Sequence, residues 1–287
     1  MSGKRYLKQI ELASFGQEDV FIRNQRLTCY NGIYPFKIFP QKGLTSVQFA
    51  PITVFYGGNG SGKTTLLNII AEKTGVIRHS AFNGSAFFAN YVNMCKLDGR
   101  SIPRHSQILT SDDVSDYLLT IRSLNDGIDS RRDELLADYT DRKYKDLRFT
   151  GLADYDNWKE GYDAKRMSQS RFVKDRLMQN IDMFSNGETA MKYYTDRITE
   201  NALYLVDEPE NSLSVKLQLE LQKYIADSAR FYGCQFVIAT HSPIFLSLPN
   251  ATIYDLDEIP VTVKPWTELE NVRLFYEFFM KYRNQFQ

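Results

Sequence analysis

The chain has 287 residues, of which 43% are hydrophobic and 24% are charged. This length allows one large domain or two small ones, with enough apolar content for a substantial core. Lysine and arginine together number 35, as do aspartate and glutamate, so the formal net charge is zero. The balance excludes a global attraction to nucleic acid or to an anionic membrane, although a local basic patch stays open.

The cysteines give no sign of a metal or redox centre. Cys29, Cys95 and Cys234 lie far apart, without the paired spacing of such sites, and this pattern is typical of unpaired thiols in a reducing cytosol. No apolar stretch approaches the roughly 20 residues of a membrane span, and the first residues lack the apolar core of a signal peptide. We therefore expect a cytoplasmic protein with no membrane span.

The first part of the chain predicts a small β subregion, residues 1–50. Short β-rich runs at Lys8–Leu12, Phe36–Phe39 and Ser46–Phe49 alternate with glycine and proline, as in an antiparallel sheet. A highly charged, helix-prone segment predicts a helical insertion at residues 111–182. The organisation that follows is a single domain, residues 1–287, which carries this insertion.

The insertion itself shows little regular pattern. Its section Asp138–Lys165 is rich in tyrosine, aspartate and lysine with weak periodicity, which favours loops or a partner surface. Heptads do not persist in the insertion, so long coiled-coil arms are not expected.

Two buried strands predict the main sheet, Ala202–Val206 and Gln235–Ala239, with the amphipathic segment Val215–Arg230 between them. Such alternation predicts an α/β fold, with a mostly parallel sheet flanked by helices and with ligands at the carboxyl ends of the strands. Near the end, Glu268–Tyr282 has apolar residues at helical spacing, and we interpret that face as core rather than interface.

A glycine-rich loop joins the buried strand Ile52–Tyr56 to a helix-prone segment that starts at Lys63. It has the phosphate-loop pattern of Gly, any four residues, then Gly-Lys-Ser/Thr. Backbone N–H groups can converge on phosphates there, and the new helix presents its positive end. We predict that Lys63 bridges the β- and γ-phosphates of ATP and that Thr64 binds Mg²⁺. The predicted nucleotide-binding residues of the loop are Gly57, Gly58, Asn59, Gly60, Ser61, Gly62, Lys63, Thr64 and Thr65.

Two consecutive carboxylates, Asp207 and Glu208, follow the strand Ala202–Val206. They are expected at the edge of the sheet where the phosphate loop also lies. Neighbouring strand residues point to opposite sides, so the two carboxylates need not share one role. We predict that Asp207 holds Mg²⁺, directly or through water, and that Glu208 polarises the attacking water. Two solvated or helix-capping carboxylates are the alternative.

Three motifs together, Asn59–Lys63, Asp207–Glu210 and Ala239–Pro243, resemble the ABC-type ATPases of the structural-maintenance, RecF and overcoming-lysogenization-defect side. Most of the chain also resembles a group of small bacterial AAA/ABC-type ATPases. The resemblance implies an ABC-type ATPase head, ATP and Mg²⁺ as cofactors, and hydrolysis of ATP to ADP and phosphate. It further implies that His241 is a switch histidine that contacts the γ-phosphate.

Residues Ser185-Asn-Gly187-Glu188 resemble the signature motif of that family. The resemblance implies that Ser185 and Gly187 cap the γ-phosphate bound to a second subunit, so that ATP binding closes a homodimer. The same residues are compatible with a simple helix N-cap, with Glu188 three residues after Ser185. Gln107 is the candidate for the family's glutamine loop.

For function, the resemblance implies a nucleotide-switched dimer that regulates or powers a separately encoded effector, such as a nuclease or toxin. DNA repair and anti-phage defence are the expected settings, and DNA stays open as a ligand. The alternative is the ATPase subunit of a membrane transporter. The signature motif and the switch histidine disfavour a P-loop kinase, and the lack of heptads disfavours a structural coiled-coil ATPase.

Overall fold

The computed structural model describes residues 5–26, 32–144, 155–177 and 185–286. The chain divides into two compact units, one formed by Met1–Ser115 with Asn186–Gln287 and the other by Asp116–Ser185. The single domain with an insertion at 111–182 stays a prediction. Cys29 and part of the segment expected to form loops, residues 145–154, lie outside the described residues.

Nine strands and eleven α-helices occur in the described parts of the chain, besides short 3-10 helices. The strands are β1 Leu7–Glu11, β2 Ser46–Gln48, β3 Ile52–Tyr56, β4 Lys96–Gly99, β5 Gln107–Thr110, β6 Leu203–Asp207, β7 Gln235–Ala239, β8 Thr252–Asp255 and β9 Thr262–Val263. The helices are α1 Phe15–Arg23, α2 Ile38–Gln41, α3 Lys63–Thr74, α4 Phe88–Met94, α5 Ser111–Tyr144, α6 Tyr155–Arg166, α7 Gln169–Lys174, α8 Asn186–Arg197, α9 Val215–Phe231, α10 Pro243–Leu246 and α11 Glu270–Lys281. Among these described helices, none combines the length and apolar character that crossing a membrane requires.

The first unit is organised around a six-stranded sheet in the order β5-β6-β7-β3-β8-β9. Its first five strands are parallel, and β9 pairs with β8 in the antiparallel sense. Every residue of β3, β6 and β7 is buried, which explains why these strands appear in the sequence as continuous apolar runs. The predicted α/β fold with a mostly parallel sheet is confirmed.

A second, antiparallel sheet has the order β2-β1-β4. The predicted strand at Phe36–Phe39 is absent from it, because this stretch forms a turn and the start of α2. Lys37 has a left-handed backbone, with φ of 69°, and its N–H donates to Glu18 Oε2 at 2.6 Å, so the chain bends there. Phe36 and Phe39 are buried, and core burial rather than strand pairing accounts for their apolar character.

The fully buried side chain of Gln235, at the start of β7, connects the two sheets. Its Oε1 accepts hydrogen bonds from the N–H groups of Tyr6 and Leu7, at 2.7 and 2.8 Å. Its Nε2 donates to the carbonyls of Leu7 and Ala50, at 2.9 and 3.0 Å. One amide therefore satisfies four buried or partly buried backbone groups beside the first strand of the antiparallel sheet.

The second unit has a small core of its own. Leu135, Tyr139, Ala164, Phe172 and Val173 form it, from α5, α6 and α7. The described parts of the section expected to form loops, residues 138–144 and 155–165, are therefore helical. Their helices bury Tyr139 and Ala164 against this core, which weak sequence periodicity did not reveal.

The C-terminal helix α11 corrects a further expectation. Of its apolar residues, Val272 is buried, whereas Phe275, Tyr276 and Phe279 are 46–57% exposed. The amphipathic spacing predicts the helix well but does not determine what covers its apolar face. The interpretation of that face as core is wrong.

Substituting Gln235 tests the connection between the sheets. We expect Gln235→Leu to lower the free energy of unfolding by about 3–5 kcal/mol, because it leaves several buried backbone groups without partners. Urea unfolding followed by circular dichroism measures the change. Gln48→Leu on β2, where the side chain is exposed, is the matched control and should shift stability by less than about 0.5 kcal/mol. Equal effects of the two substitutions would contradict the proposed role of Gln235.

Candidate nucleotide site

The phosphate-loop pattern lies between a strand and a helix, since β3 ends at Tyr56 and α3 begins at Lys63. A Cβ on Gly57 would lie 2.5 Å from Ser61 Oγ, so the loop closes on itself where a side chain has no room. Gly62 has φ of 99°, a left-handed conformation that favours glycine at the helix start. The two glycines are thus required by a tight, inward-folded loop.

The buried ammonium of Lys63 lies inside this loop. Its Nζ donates to the carbonyl oxygens of Gly57 and Gly58, at 2.7 and 3.0 Å, and lies 3.9 Å from Glu208 Oε1. A cavity of about 330 Å³ opens beside it. The residues that line the cavity are Tyr34, Ile38, Asn59, Gly60, Ser61, Gly62, Lys63, Thr64, Thr65 and Glu208. The structure therefore places the predicted lysine, loop and carboxylate around one cavity.

The predicted magnesium ligands lie close together. Thr64 Oγ1 donates to Asp207 Oδ1 at 3.2 Å, although the two residues are 143 positions apart in sequence. A hydroxyl and a carboxylate are the hard oxygen ligands that Mg²⁺ prefers. Ser61 Oγ is buried and has no hydrogen-bond partner within the described part of the chain, so the loop also carries a polar atom suited to a phosphate oxygen. The residues present fit Mg²⁺ and a polyphosphate.

Burial dominates the electrostatics of Asp207. The pKa of this carboxyl is raised from 3.8 to about 6, mainly by burial; the Thr64 hydroxyl and Lys63 lower it, whereas the Glu208 carboxylate adds to the rise. The cause is the fully buried strand β6, which ends in this side chain. A carboxylate in such a place gains from a cation, as a magnesium ligand would.

Glu208 has an unusual backbone for a residue with a side chain. Its φ is 46° and its ψ is 55°, and its N–H donates to Ala239 O at 2.9 Å. Left-handed geometry costs about 1–2 kcal/mol in a residue other than glycine, and such strain concentrates at functional sites. Asn211 Nδ2 donates to Glu208 Oε2 at 3.0 Å and fixes the carboxylate.

Glu210 is a site residue that the sequence prediction did not include. Its buried Oε1 accepts from Thr240 Oγ1 at 2.7 Å and from the His241 N–H at 3.0 Å. The same oxygen lies 3.3 Å from His241 Nδ1, and the His241 side chain is 46% exposed. Glu210 therefore joins the loop after β6 to the loop after β7. Its position in the Asp-Glu-Pro-Glu motif is the sequence feature that could have identified it as a site residue.

Gln107 is not at the carboxyl edge of the sheet. It is the first residue of β5, and its Nε2 donates to Arg197 O at 3.0 Å. Thr110 ends β5 and lies opposite Asp207 in the register. The choice of Gln107 as the glutamine-loop residue is corrected on this ground, since the register of the short strand β5 puts Thr110 at the site instead.

The signature-like residues lie at the start of α8. Ser185 immediately precedes the helix, and Gly187 is in its first turn. A Cβ on Gly187 would come within 2.7 Å of Leu217 Cδ1, so a larger residue here would make the Leu217 side chain of α9 shift. Packing of Gly187 against α9 is compatible with the predicted contact of Gly187 with a second subunit.

A second cavity, of about 590 Å³, lies next to Thr64 and Asp207. Arg78 lines it, donates through Nη2 to Asn68 Oδ1 at 2.7 Å, and stacks 4.4 Å from the ring centroid of Phe82. Sequence reasoning did not find Arg78, because an arginine after a helix carries no pattern. Its place depends on the tertiary fold.

The family follows from a comparison with known proteins. Residues 45–211, more than half of the chain, match the family described as ABC transporter. The matched region contains the glycine-rich loop, Asp207 and Glu208. Its fold and site define a P-loop ATPase of the ABC type, as the motifs predicted. The chain belongs to the ABC transporter family.

Individual relatives are more distant. The Petrobactin import ATP-binding protein YclP of Bacillus subtilis (strain 168) is 23% identical over 217 residues, which cover 75% of this chain and 76% of the relative. A Smc head domain from Pyrococcus furiosus, solved with the C-terminal domain of ScpA, is 12% identical with a TM-score of 0.44, covering 96% of this chain and 99% of that one. The SMC head domain from Thermotoga maritima is 13% identical with a TM-score of 0.40, covering 90% and 98%.

The raised pKa of Asp207 predicts a pH-dependent stability. The folded state holds this proton more tightly than the unfolded state, so wild type loses stability as pH rises from about 4 through about 6. In buffer free of nucleotide and Mg²⁺, Asp207→Asn should stabilise the fold by at most about 3 kcal/mol at pH 7.5, and by about half of that at pH 5.

Urea unfolding at the two pH values measures this gain. Asp98→Asn, on the exposed strand β4, is the control and should change little at either pH. A gain from Asp207→Asn that is the same at both pH values would contradict the assignment of the effect to this proton.

Proposed function

We propose that the chain hydrolyses ATP with Mg²⁺ as a dimer of two copies, and that the closing and opening of this dimer controls or powers a partner. The carrying observation is the convergence of Lys63, Thr64, Asp207 and Glu208 around the strand ends, from segments about 140 residues apart. Family membership implies binding and hydrolysis of ATP. The roles of individual residues and the magnesium dependence are the proposal.

Each residue has a role that its surroundings support. Lys63 neutralises the β- and γ-phosphates, since its ammonium is buried inside the loop. Thr64 and Asp207 provide the oxygen ligands for Mg²⁺, which when bound neutralises charge on the phosphate oxygens. Glu208, whose carboxylate Asn211 holds in place, orients and deprotonates the attacking water.

In this proposal, His241 contacts the γ-phosphate, and Glu210 sets the orientation of the His241 ring. A carboxylate can only accept hydrogen bonds, so the nearby Glu210 oxygen favours the proton on His241 Nδ1. Nε2 then faces away from Glu210, and it donates a hydrogen bond to a phosphate oxygen when the ring carries a second proton there. The buried bond from Thr240 to the same carboxylate keeps this arrangement fixed.

The second copy completes the site through its signature residues. Ser185 and Gly187 lie at the start of a twelve-residue helix, and the N-terminal end of a helix carries a positive partial charge. Such a helix end attracts anions, and in this proposal it receives the γ-phosphate bound to the other chain. Assembly therefore depends on intact ATP.

For the biological setting, we propose an effector-coupled role in DNA repair or anti-phage defence, with a separately encoded nuclease or toxin as partner. The support is the resemblance of the Asp207–Glu210 and Ala239–Pro243 motifs to ATPases of that side of the family. DNA stays a candidate ligand. Stimulation of ATP turnover by duplex DNA or by a soluble effector would favour this setting.

A membrane transporter is the second candidate. Its support is the 23% identity to the Petrobactin import ATP-binding protein YclP, spread over three quarters of both chains. In that case the partner is a membrane-embedded protein. Co-purification of such a protein with the chain would favour the transporter.

The role of Glu208 gives a direct test. Glu208→Gln removes the base and keeps the shape, so we expect ATP turnover to fall at least roughly a hundredfold while ATP affinity is retained. Phosphate release and equilibrium nucleotide titration measure the two quantities. Glu220→Gln on α9 is the control and should leave both unchanged. Unchanged turnover in Glu208→Gln would remove Glu208 from the mechanism.

The shared site predicts complementation between two inactive variants. Lys63→Ala spoils the phosphate loop and Ser185→Arg spoils the signature, but a mixed dimer has one composite site with all its parts. Mixing an excess of Lys63→Ala chains with Ser185→Arg chains should therefore restore part of the turnover. If mixed dimers form and stay inactive, or if wild-type specific activity is constant down to monomeric concentrations, the two-copy mechanism fails.

A further inference from the structure

The helix α11 carries a large apolar surface that nothing in the described structure covers. Its members are 46–72% exposed, and we call them, together with Phe286 just after the helix, the aromatic face: Leu274, Phe275, Tyr276, Phe278, Phe279, Met280 and Phe286. The rings also contact one another, with centroids of Phe278 and Phe279 5.4 Å apart and those of Phe279 and Phe286 6.2 Å apart. These contacts join Phe278, Phe279 and Phe286 into one cluster, and the other members occupy neighbouring positions of the same helix.

The patch is too large for an ordinary free surface. Five half-exposed aromatic side chains alone offer on the order of 500 Å² of apolar surface. A monomeric protein rarely leaves more than a few hundred Å² of contiguous apolar surface uncovered. A standard protein interface takes about 800 Å² from each partner, so the aromatic face supplies more than half of one side.

The helix is anchored at the nucleotide site. The Asn271 N–H donates to the hydroxyl of Tyr56, the last residue before the phosphate loop, at 3.1 Å. Asn271 Nδ2 donates to the carbonyl of His241 at 3.0 Å. The buried Leu269 and Val272 hold the same turn against the core. The helix that carries the aromatic face thus starts in contact with Tyr56 and His241, two residues next to the nucleotide site.

The charges of α11 argue against a lipid surface as the occupant. Its polar positions alternate in sign, with Glu270 and Glu277 against Arg273 and Lys281. Four charges that cancel provide no attraction to anionic lipids, which a membrane-binding amphipathic helix normally has. A protein surface of similar apolar character is the better match.

We infer that the aromatic face is covered by the aromatic face of a second copy of this chain. The inference rests on the proposed function, because it places the contact beside the composite ATP site. A twofold axis brings the same patch of both copies together, so one apolar face serves both sides. The contact through Asn271 then links the position of the second copy to the backbone at His241.

The test is the dimerisation of an α11 variant. Phe275→Glu combined with Phe279→Glu puts two charges into the aromatic face, both at positions that are about half exposed. With Mg²⁺ and a non-hydrolysable ATP analogue, sedimentation velocity should show the dimer dissociation constant raised at least roughly thirtyfold. Glu277→Lys on the polar side of α11 and Phe231→Glu on α9 are matched controls, and both should dimerise as wild type.

Each outcome separates this inference from the proposed function. A double variant that dimerises as wild type overturns the role of the aromatic face and leaves the two-copy ATPase intact. A wild type that stays monomeric with the analogue overturns both. Flotation of wild type with anionic phospholipid vesicles, lost in the double variant while dimerisation is unchanged, assigns the face to lipid and overturns the inference. Circular dichroism and nucleotide titration confirm that the double variant is folded.

Discussion

The register of the parallel strands is the constraint on which the site depends. Thr110 lies opposite Asp207, Asp207 opposite Ala239, and Ala239 opposite Phe55, so four strand ends align at one edge. The phosphate loop, the acidic pair and the switch histidine all follow directly from these ends. A slip of one residue would turn each side chain to the other face of the sheet and separate them.

The same edge of the sheet brings several ionisable side chains together in a buried environment. Lys63, Asp207 and Glu210 are all buried beside the apolar strands. Burial of ionised groups costs free energy unless they are paired. Part of the pairing exists within the protein, through the loop carbonyls around Lys63 and the contacts of Glu210 with Thr240 and His241. We infer that bound Mg²⁺ and phosphate would provide the remaining partners of these buried charges. Without them, the buried charges lower the stability of the fold.

How far the sequence predicts the molecule depends on how local each signal is. The bounds of β3 and β7 match the predicted strands, because a strand buried on both faces is a continuous apolar run. The glycine-rich loop is equally local. Glu210 was left out and Gln107 was misplaced, because the positions of both side chains depend on partners more than 20 residues away, Thr240 and Arg197. For α11, spacing predicts an apolar face but carries no information about what covers it.

The side-chain amide of Gln235 couples the opening of β1 to that of β7 in the six-stranded sheet. The backbone N–H groups of Tyr6 and Leu7 donate to the Gln235 side chain of β7. Hydrogen exchange at these two amides therefore requires that their hydrogen bonds to β7 break. Four residues further on, that strand leads directly into Thr240 and His241. Hydrogen exchange at the amides of Tyr6 and Leu7 would thus report on the rigidity of the loop that carries the switch histidine.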